Sequence, residues 1–252
     1  MSAGLKPFFA PRGVAVIGAS AAPNKLSFGI LRNLTLYGYT GQIAPVNPKE
    51  DEILGYKCYP DIRDVPDPLD LAVIVLPAQA IPGVLEDCGK RGVQAVVIIS
   101  GGFKEIGPQG AALERELVTI AQRYNMRLIG PNCVGVMDLY TGLDATFIQG
   151  VPAKGSIGFI SQSGAMAGGV VETIRDKFIG FSVFASLGNE ADVTETDMIE
   201  YLAAEPHTKV ISSYVEAITD GQRFIQTARK LSPVKPIVML KAGRTSAGAR
   251  AV

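Results

Sequence analysis

The residues best placed for chemistry fall in two short stretches of the same design. Ile157–Val171 reads IGFISQSGAMAGGVV, an apolar strand running into a turn with Ser161, Ser163 and Gly164 and then into a helix. The first backbone N–H groups of such a helix have no partner inside it and converge on one spot, where the helix dipole adds partial positive charge. An anion belongs at Ser161–Ala165. Val14–Gly29, VAVIGASAAPNKLSFG, repeats the arrangement with Gly18, Ala19 and Ser20 in the turn. Lys25 and Ser27, where its helix begins, add a charge and a hydroxyl. Two cradles in successive α/β units suit a cofactor pyrophosphate in one and a transferable phosphoryl group in the other.

The first turn, GASAAP, lacks the GxGxxG glycines of a dinucleotide site. The second strand ends in Asn47, Pro48 and Lys49 rather than in the acidic residue that holds ribose hydroxyls. A cation there suits an additional phosphate, which coenzyme A and NADP both carry on a ribose, and Lys49 alone does not choose between them. Pro77 after the third strand and Ser100, Gly101 and Gly102 after the fourth lie at the carboxyl edge where open α/β sheets bind ligands. Singly, each is equally a loop residue chosen for turn geometry; as a set they point to a ligand. No Tyr/Lys or His/Asp pair presents itself for hydride transfer, which weakens the reading as an NADP-dependent oxidoreductase. Glu216, in KVISSYVEAITDG, ends an apolar strand and on its own reads as a solvated carboxylate. His207, the one histidine, sits in a turn, AAEPHTKV. Cys58, Cys88 and Cys133 have neither metal-ligand spacing nor an even count, so no disulfide and no structural metal is expected, and Cys133 reads as a small buried filler.

The elements that position these residues follow from period and punctuation. Apolar strands are expected at 14–17, 42–46, 71–76, 95–99 and 127–129, with helices over 26–36, 82–90 and 108–124. After a Gly-rich, irregular connection at 132–152 the alternation resumes with strands at 157–160, 181–186, 209–215 and 236–240 and helices over 165–177, 196–204 and 221–231. Continuous apolar strands alternating with amphipathic helices indicate parallel sheets covered on both faces. The expectation is two domains, 1–130 and 131–252. The chain has 252 residues, 47% hydrophobic and 19% charged, enough for a buried core. Its 24 basic and 24 acidic residues cancel and form no basic cluster with aromatics, so nothing suggests nucleic acid. No signal-peptide core and no membrane-length apolar run is present, which places the chain in the cytoplasm.

As a set and in this order, IGASAAPNKLSFGILRNL, PVNPK, IISGGF, RLIGPNCVGV, GFISQSGAM and KAGRTSAGAR resemble the NDP-forming acyl-CoA ligases over essentially the whole chain. That group includes ADP-forming acetate–CoA ligase, the nearer branch, and the α subunit of succinyl-CoA synthetase. The resemblance implies a Rossmann-like CoA-binding domain followed by a flavodoxin-like, doubly wound ligase domain. It implies that ATP phosphorylates a histidine, that phosphate passes to a carboxylic acid as acyl phosphate, and that the CoA thiol displaces it. By motif position, Gly18, Ala19, Ser20, Lys25, Ser27, Asn47, Lys49, Pro77, Ser100, Gly101, Gly102 and Asn132 would line the coenzyme A site. Ser161, Ser163 and Gly164 would receive phosphate, and Glu216 would hold the histidine ring, favouring phosphorylation at the other nitrogen.

Family members carry that histidine just downstream of GRTSAGARA, and the sequence stops at Val252. The expectation is a fragment of a longer ligase that does not complete the reaction alone; a natural short form that binds CoA without chemistry competes with it. No GxxxxGK[ST] loop occurs, and the family binds ATP or ADP with Mg in an ATP-grasp β subunit or domain, so such a partner is implied, together with a carboxylic acid or acyl-CoA substrate and an oligomer. The alternative function is a CoA-responsive regulatory module, such as one fused to a protein acetyltransferase.

Overall fold

In the computed structural model, residues 2–150, 152–175, 177 and 179–243 are described. The chain starts with α1 (Lys6–Phe9), β1 (Gly13–Ile17), α2 (Leu26–Leu36), β2 (Gln42–Val46), and a small ribbon of β3 (Glu52–Ile53) and β4 (Tyr56–Lys57). It continues through β5 (Leu71–Ile74), α3 (Ile81–Arg91), β6 (Ala95–Ile98), α4 (Pro108–Arg123) and β7 (Arg127–Ile129). Five of these strands form a parallel sheet in the order β2-β1-β5-β6-β7. Both faces are covered, so β1, β5 and β6 are buried at every position, and this is why their sequences show no alternation. Ala15, Ile17, Ala72 and Ile74 pack on one side with Ile81, Leu85 and Leu117 of α3 and α4. Val14, Val16 and Val73 pack on the other with Ile30, Leu31 and Leu34 of α2.

The second sheet is mixed. It is built from β8 (Gly135–Asp138), β9 (Leu143–Thr146), β10 (Ala153–Ser161), β11 (Gly180–Ser186), β12 (Val210–Val215) and β13 (Ile237–Lys241), with α5 (Gly164–Ile174), α6 (Glu195–Ala204) and α7 (Gly221–Leu231) between the parallel strands. The order is β13-β12-β10-β11-β8-β9. The first four strands form the expected doubly wound parallel core, and β8 and β9 extend it as an antiparallel hairpin. The reading of 132–152 as an irregular connection is therefore corrected. Every residue of β8 and β9 is buried, polar Asp138, Asp144 and Thr146 included, and the strands GVMD and LDAT are only half apolar, so no apolar run marks them in the sequence. No described helix is long and apolar enough to cross a membrane.

The two sheets share one apolar cluster, in which Phe8, Phe9, Ile30 and Leu34 meet Leu143, Ala145, Ile199 and Leu202. Phe9 stacks on Tyr201 at 4.8 Å between ring centroids. Asn33 of α2, fully buried, donates both amide hydrogens across the seam, to Thr146 O at 2.8 Å and Ile148 O at 2.7 Å. The loop before α6 is zipped to the end of β7 by Val193 N to Leu128 O, Ala191 N to Gly130 O and Asn189 N to Pro131 O. Asn33→Ala removes two donors from buried carbonyls and is expected to cost about 2–4 kcal/mol, read as a lower urea midpoint with an unchanged m value.

Candidate functional site

In each sheet the strand order reverses beside its first parallel strand: β2 and β5 flank β1, and β11 and β12 flank β10. The connections leaving β1 and β10 therefore part from their neighbours and open a crevice at the carboxyl edge. In the first sheet this crevice is a cleft of about 710 Å³. Gly18, Ala19, Ser20, Lys25 and Ser27 line it from the β1–α2 connection, Asn47 and Lys49 from the end of β2, and Pro77 and Ser100 from the ends of β5 and β6. Gly18 has φ +82°, and a Cβ there would stand 2.3 Å from Val75 O, so the turn demands glycine. The backbone N–H groups of Gly18 and Ala19 both donate to Val46 O, at 3.1 and 3.3 Å. Asn47 Nδ2 donates to Ala19 O at 2.7 Å while Asn47 Oδ1 accepts from Lys49 N at 2.9 Å, which ties the two loops together.

The N-terminus of α2 is left open. Lys25 is its N-cap in extended conformation with no side-chain cap, and Phe28 N and Gly29 N return to Lys25 O. Among the described residues, the N–H groups of Leu26 and Ser27 have no acceptor, and neither Lys25 nor Lys49 has a carboxylate partner. Residues not singled out from sequence complete the wall: apolar Val46, Ile62, Val75, Leu76 and Val84, and acidic Asp61 and Asp87. Asp61 is paired with Arg63, whose hydrogen bond holds the Asp61 carboxyl below its usual range.

Gly101, Gly102 and Asn132 do not line this cleft. They stand beside it at the seam, where Gly102 N and Phe103 N donate to Glu105 Oε1 at 2.5 and 3.1 Å. Asn132 Nδ2 donates to Asn189 Oδ1 at 3.3 Å, and Asn189 Nδ2 donates to Glu105 Oε2 and Glu114 Oε2 at 2.6 and 2.8 Å. Asn132 N donates to Ser100 O at 2.9 Å, linking this cluster to the cleft.

The second cradle forms at the carboxyl end of β10. Ser163 caps α5 by accepting from Met166 N at 3.3 Å, and Ser161 Oγ donates to Ser163 O at 2.8 Å and accepts from Ser163 N at 3.2 Å. The N–H groups of Gly164 and Ala165 have no acceptor among the described residues. A Cβ on Gly164 would meet Val134 Cγ2 at 3.0 Å, a contact that the valine would have to give way to relieve. Glu216 follows β12 across the crevice, half-buried, with no hydrogen bond to its carboxylate among the described residues. Its backbone is fixed from both sides: Glu216 N donates to Gln162 Oε1 at 2.6 Å, and Lys241 Nζ donates to Glu216 O at 2.6 Å.

Gln162 was not legible as a site residue, yet its amide is fully used. Oε1 also accepts from Ala217 N at 2.9 Å, and Nε2 donates to Ala217 O and to Glu190 Oε2, both at 2.8 Å. Glu190 lies at φ +52°, and its Oε1 is sealed from solvent without a partner. Burial, and then the neighbouring Glu195, push its carboxyl up to about 9. His207 is an exposed turn residue, stacked 3.7 Å from the Tyr140 ring with Nδ1 2.9 Å from Glu205 Oε1. Cys133 is buried, its thiol pushed up to about 12 by that burial.

Known proteins share this arrangement. Residues 12–138 match the family model of a CoA binding domain, and 154–252 match the succinyl-CoA ligase like flavodoxin domain. The chain is 48% identical over 244 residues to the α subunit of acetate–CoA ligase [ADP-forming] II of Pyrococcus furiosus, covering 97% of this chain and 53% of that one. To acetate–CoA ligase [ADP-forming] I of Archaeoglobus fulgidus it is 44% identical over 247 residues, covering 98% of this chain and 36% of that one. The solved dinucleotide-forming acetyl-coenzyme A synthetase 1 of Ca. Korarchaeum cryptofilum, in complex with phosphate and ADP, superposes with a TM-score of 0.94 at 44% identity, over 98% of this chain and 53% of that one. The chain thus spans between about a third and about half of the length of these relatives.

Two stability measurements test the geometry of the site. Gly38 has φ +88° in open space, so Gly38→Ala is expected to cost about 1 kcal/mol, whereas Gly18→Ala adds the clash with Val75 O and is expected to cost about 3 kcal/mol or more in chemical denaturation. Because the Glu190 carboxyl is raised from its ordinary 4.5 to about 9, its contribution is fully present below pH 4.5 and is lost as pH climbs towards 9. The thermal midpoint of the native chain should therefore decline more over that range than that of Glu190→Gln, which cannot ionise.

Proposed function

We propose a function from one premise: the chain belongs to the NDP-forming acyl-CoA ligase family, as a CoA-binding domain followed by a succinyl-CoA-ligase-like flavodoxin domain. It serves as the CoA-binding and phosphoryl-handling part of an ADP-forming acid–CoA ligase, which joins an acid to CoA as ATP becomes ADP and phosphate. The observation that carries this reading is the first cleft. Two uncapped N–H groups, two cations without carboxylate partners and an apolar wall converge at the crevice where β1 parts from its neighbours. That donor set fits coenzyme A: the N–H groups of Leu26 and Ser27 with Lys25 would hold the pyrophosphate, Lys49 the ribose phosphate, and the apolar wall the adenine. When bound, coenzyme A supplies the thiol that takes up the acyl group.

The second cradle takes the phosphoryl group in transit. Gly164 and Ala165 N–H groups and the Ser163 hydroxyl would orient it, with Ser161, fully buried and donating to Ser163 O, shaping the turn beneath. The Glu216 carboxylate, without a hydrogen bond among the described residues, would set the ring of a histidine brought to the crevice. His207 does not serve: it precedes β12 and so lies at the opposite edge of the parallel strands from Ser161. The nucleophile therefore belongs to the remainder of a longer ligase, ATP with its Mg to an ATP-grasp subunit or domain, and this chain alone leaves the reaction incomplete. The assembly works as an oligomer in the cytoplasm. Gly101, Gly102 and Asn132 would act on the coenzyme A site from the seam beside the cleft rather than from its wall.

Calorimetry tests the reading on this chain alone. CoA should bind saturably, and Lys49→Ala should weaken CoA about tenfold, about 1.4 kcal/mol, while leaving dephospho-CoA within about twofold. No heat at millimolar CoA, or equal losses for both ligands, would overturn it. In the assembled ligase, Glu216→Gln should lower turnover about 100-fold with CoA binding unchanged.

A further inference from the structure

One buried acidic group beside the second cradle has no part in the chemistry described so far. Glu190 sits in the loop before α6, and its Oε2 accepts from Gln162 Nε2 at 2.8 Å. Gln162 lies between Ser161 and Ser163, and its Oε1 receives both Glu216 N and Ala217 N. A single hydrogen-bonded line therefore runs from Glu190 through the amide of Gln162 to the backbone that carries Glu216. We propose that Glu190, acting through Gln162, is a positioning residue for Glu216, fixing where that carboxylate stands relative to the Ser161–Gly164 cradle.

Three backbone groups of Glu216 and Ala217 already set which way round the amide stands, since Oε1 accepts from both N–H groups and Nε2 donates to Ala217 O at 2.8 Å. Glu190 takes the second Nε2 hydrogen and so ties the amide, and the backbone it holds, to the loop before α6. The loop is equipped to hold Glu190 in place. Glu190 keeps φ +52°, costly for a residue with a side chain, while its N–H donates to Leu187 O at 3.1 Å and its neighbours Asn189 and Ala191 are tied to Pro131 and Gly130, just after β7. Strain of this kind persists only where its surroundings over-determine it.

The far side of the carboxyl also fits. Glu190 Oε1 and Glu195 Oε2 are both sealed and, among the described residues, both without a partner, and a proton between the two carboxyl groups satisfies them together. Glu195 is closed off by α6, with its other oxygen accepting from Thr196 Oγ1 at 2.8 Å. The charged groups around this pair are already committed. Lys241 serves the carbonyls of Glu216 and Ala242, Lys104 donates to Asn189 O, Glu105 and Glu114 accept from Asn189, and Arg127 pairs with Asp192 and Asp197. A neutral Glu190 accepts from Gln162 and donates to Glu195, and glutamine at 190 would do the same.

Amide hydrogen exchange on the 252-residue chain tests the line without reference to any reaction. Glu190→Ala, and Glu190→Met as a variant that keeps the volume, should speed exchange at Glu216 and Ala217 at least tenfold, with the amides of β1 and β6 unchanged. Glu190→Gln should restore protection to within about threefold. The catalytic arm rests on the function proposed above: in the assembled ligase, Glu190→Met should lower kcat at least tenfold with the KM for CoA within twofold, and Glu190→Gln should recover it. Unchanged protection in both the Ala and Met variants, protection that Gln does not restore, or full kcat where protection is lost overturns the inference. A wild-type assembly that makes no acyl-CoA overturns the ligase reading instead, and the exchange result still decides the role of Glu190.

Discussion

A parallel strand whose neighbours both lead away from it cannot have its outgoing turn covered by the next loop, and this constraint organises the molecule twice. At β1 and at β10 the strand order reverses, so the helix that follows begins at an open crevice with backbone donors unsatisfied. What varies between the two is the chemistry placed around the same opening. At β1 glycine is enforced by a carbonyl 2.3 Å from any Cβ, and lysines stand at the rim. At β10 the helix is capped by Ser163 and the facing strand end is stapled by one glutamine.

The seam between the sheets makes the two crevices parts of one body. Asn33 reaches from α2 to the carbonyls beyond β9, the 187–193 loop is hydrogen-bonded to 128–131, and the apolar cluster runs through both sheets. The hairpin of β8 and β9 is the piece that makes this possible. It lies in the second sheet by hydrogen bonding, yet α2 of the first packs on it. A hairpin in that position is covered on both faces, and its buried polar residues pair locally, Thr146 N and Oγ1 both donating to Asp144 Oδ1.

That double burial explains what could and could not be read in the sequence. Strands such as Val14–Ile17 and Leu71–Ile74 were legible because Gly18 and Pro77 punctuate them and helical periods follow. The hairpin strands GVMD and LDAT are only half apolar and are joined by 139–142 with no helix after them, so they pass for a Gly-rich connection. Within the crevices, the residues that line the first cleft come from strand ends, whose position is set by topology, and the sequence located nine of them in one place. Strand position puts Gly101 and Gly102 with them, and the family resemblance adds Asn132, but Gly102 has turned its N–H to Glu105. Gln162 and Glu190 were invisible for a different reason. A polar side chain whose work is to satisfy other polar groups leaves no periodic trace, and its partners are 28 and 54 positions away.

The unequal charge of the two cradles bears on what each can do. At the first, Lys25 and Lys49 are free of carboxylate partners among the described residues, so an anion there gains full charges as well as N–H donors. At the second, Lys241 is turned onto backbone carbonyls, and among the described residues the donors left are the neutral N–H groups of Gly164 and Ala165 and the Ser163 hydroxyl, facing the Glu216 carboxylate. Neutral donors give weaker hydrogen bonds to an anion than cations do, and a nearby carboxylate opposes it. A dianion held so is oriented without being retained. The same carboxylate that repels it would attract the N–H of an imidazole ring, so a group arriving on such a ring is drawn in by its carrier and leaves readily once detached from it. On the proposed reading the first crevice would bind and the second would transfer, although both begin from one backbone geometry.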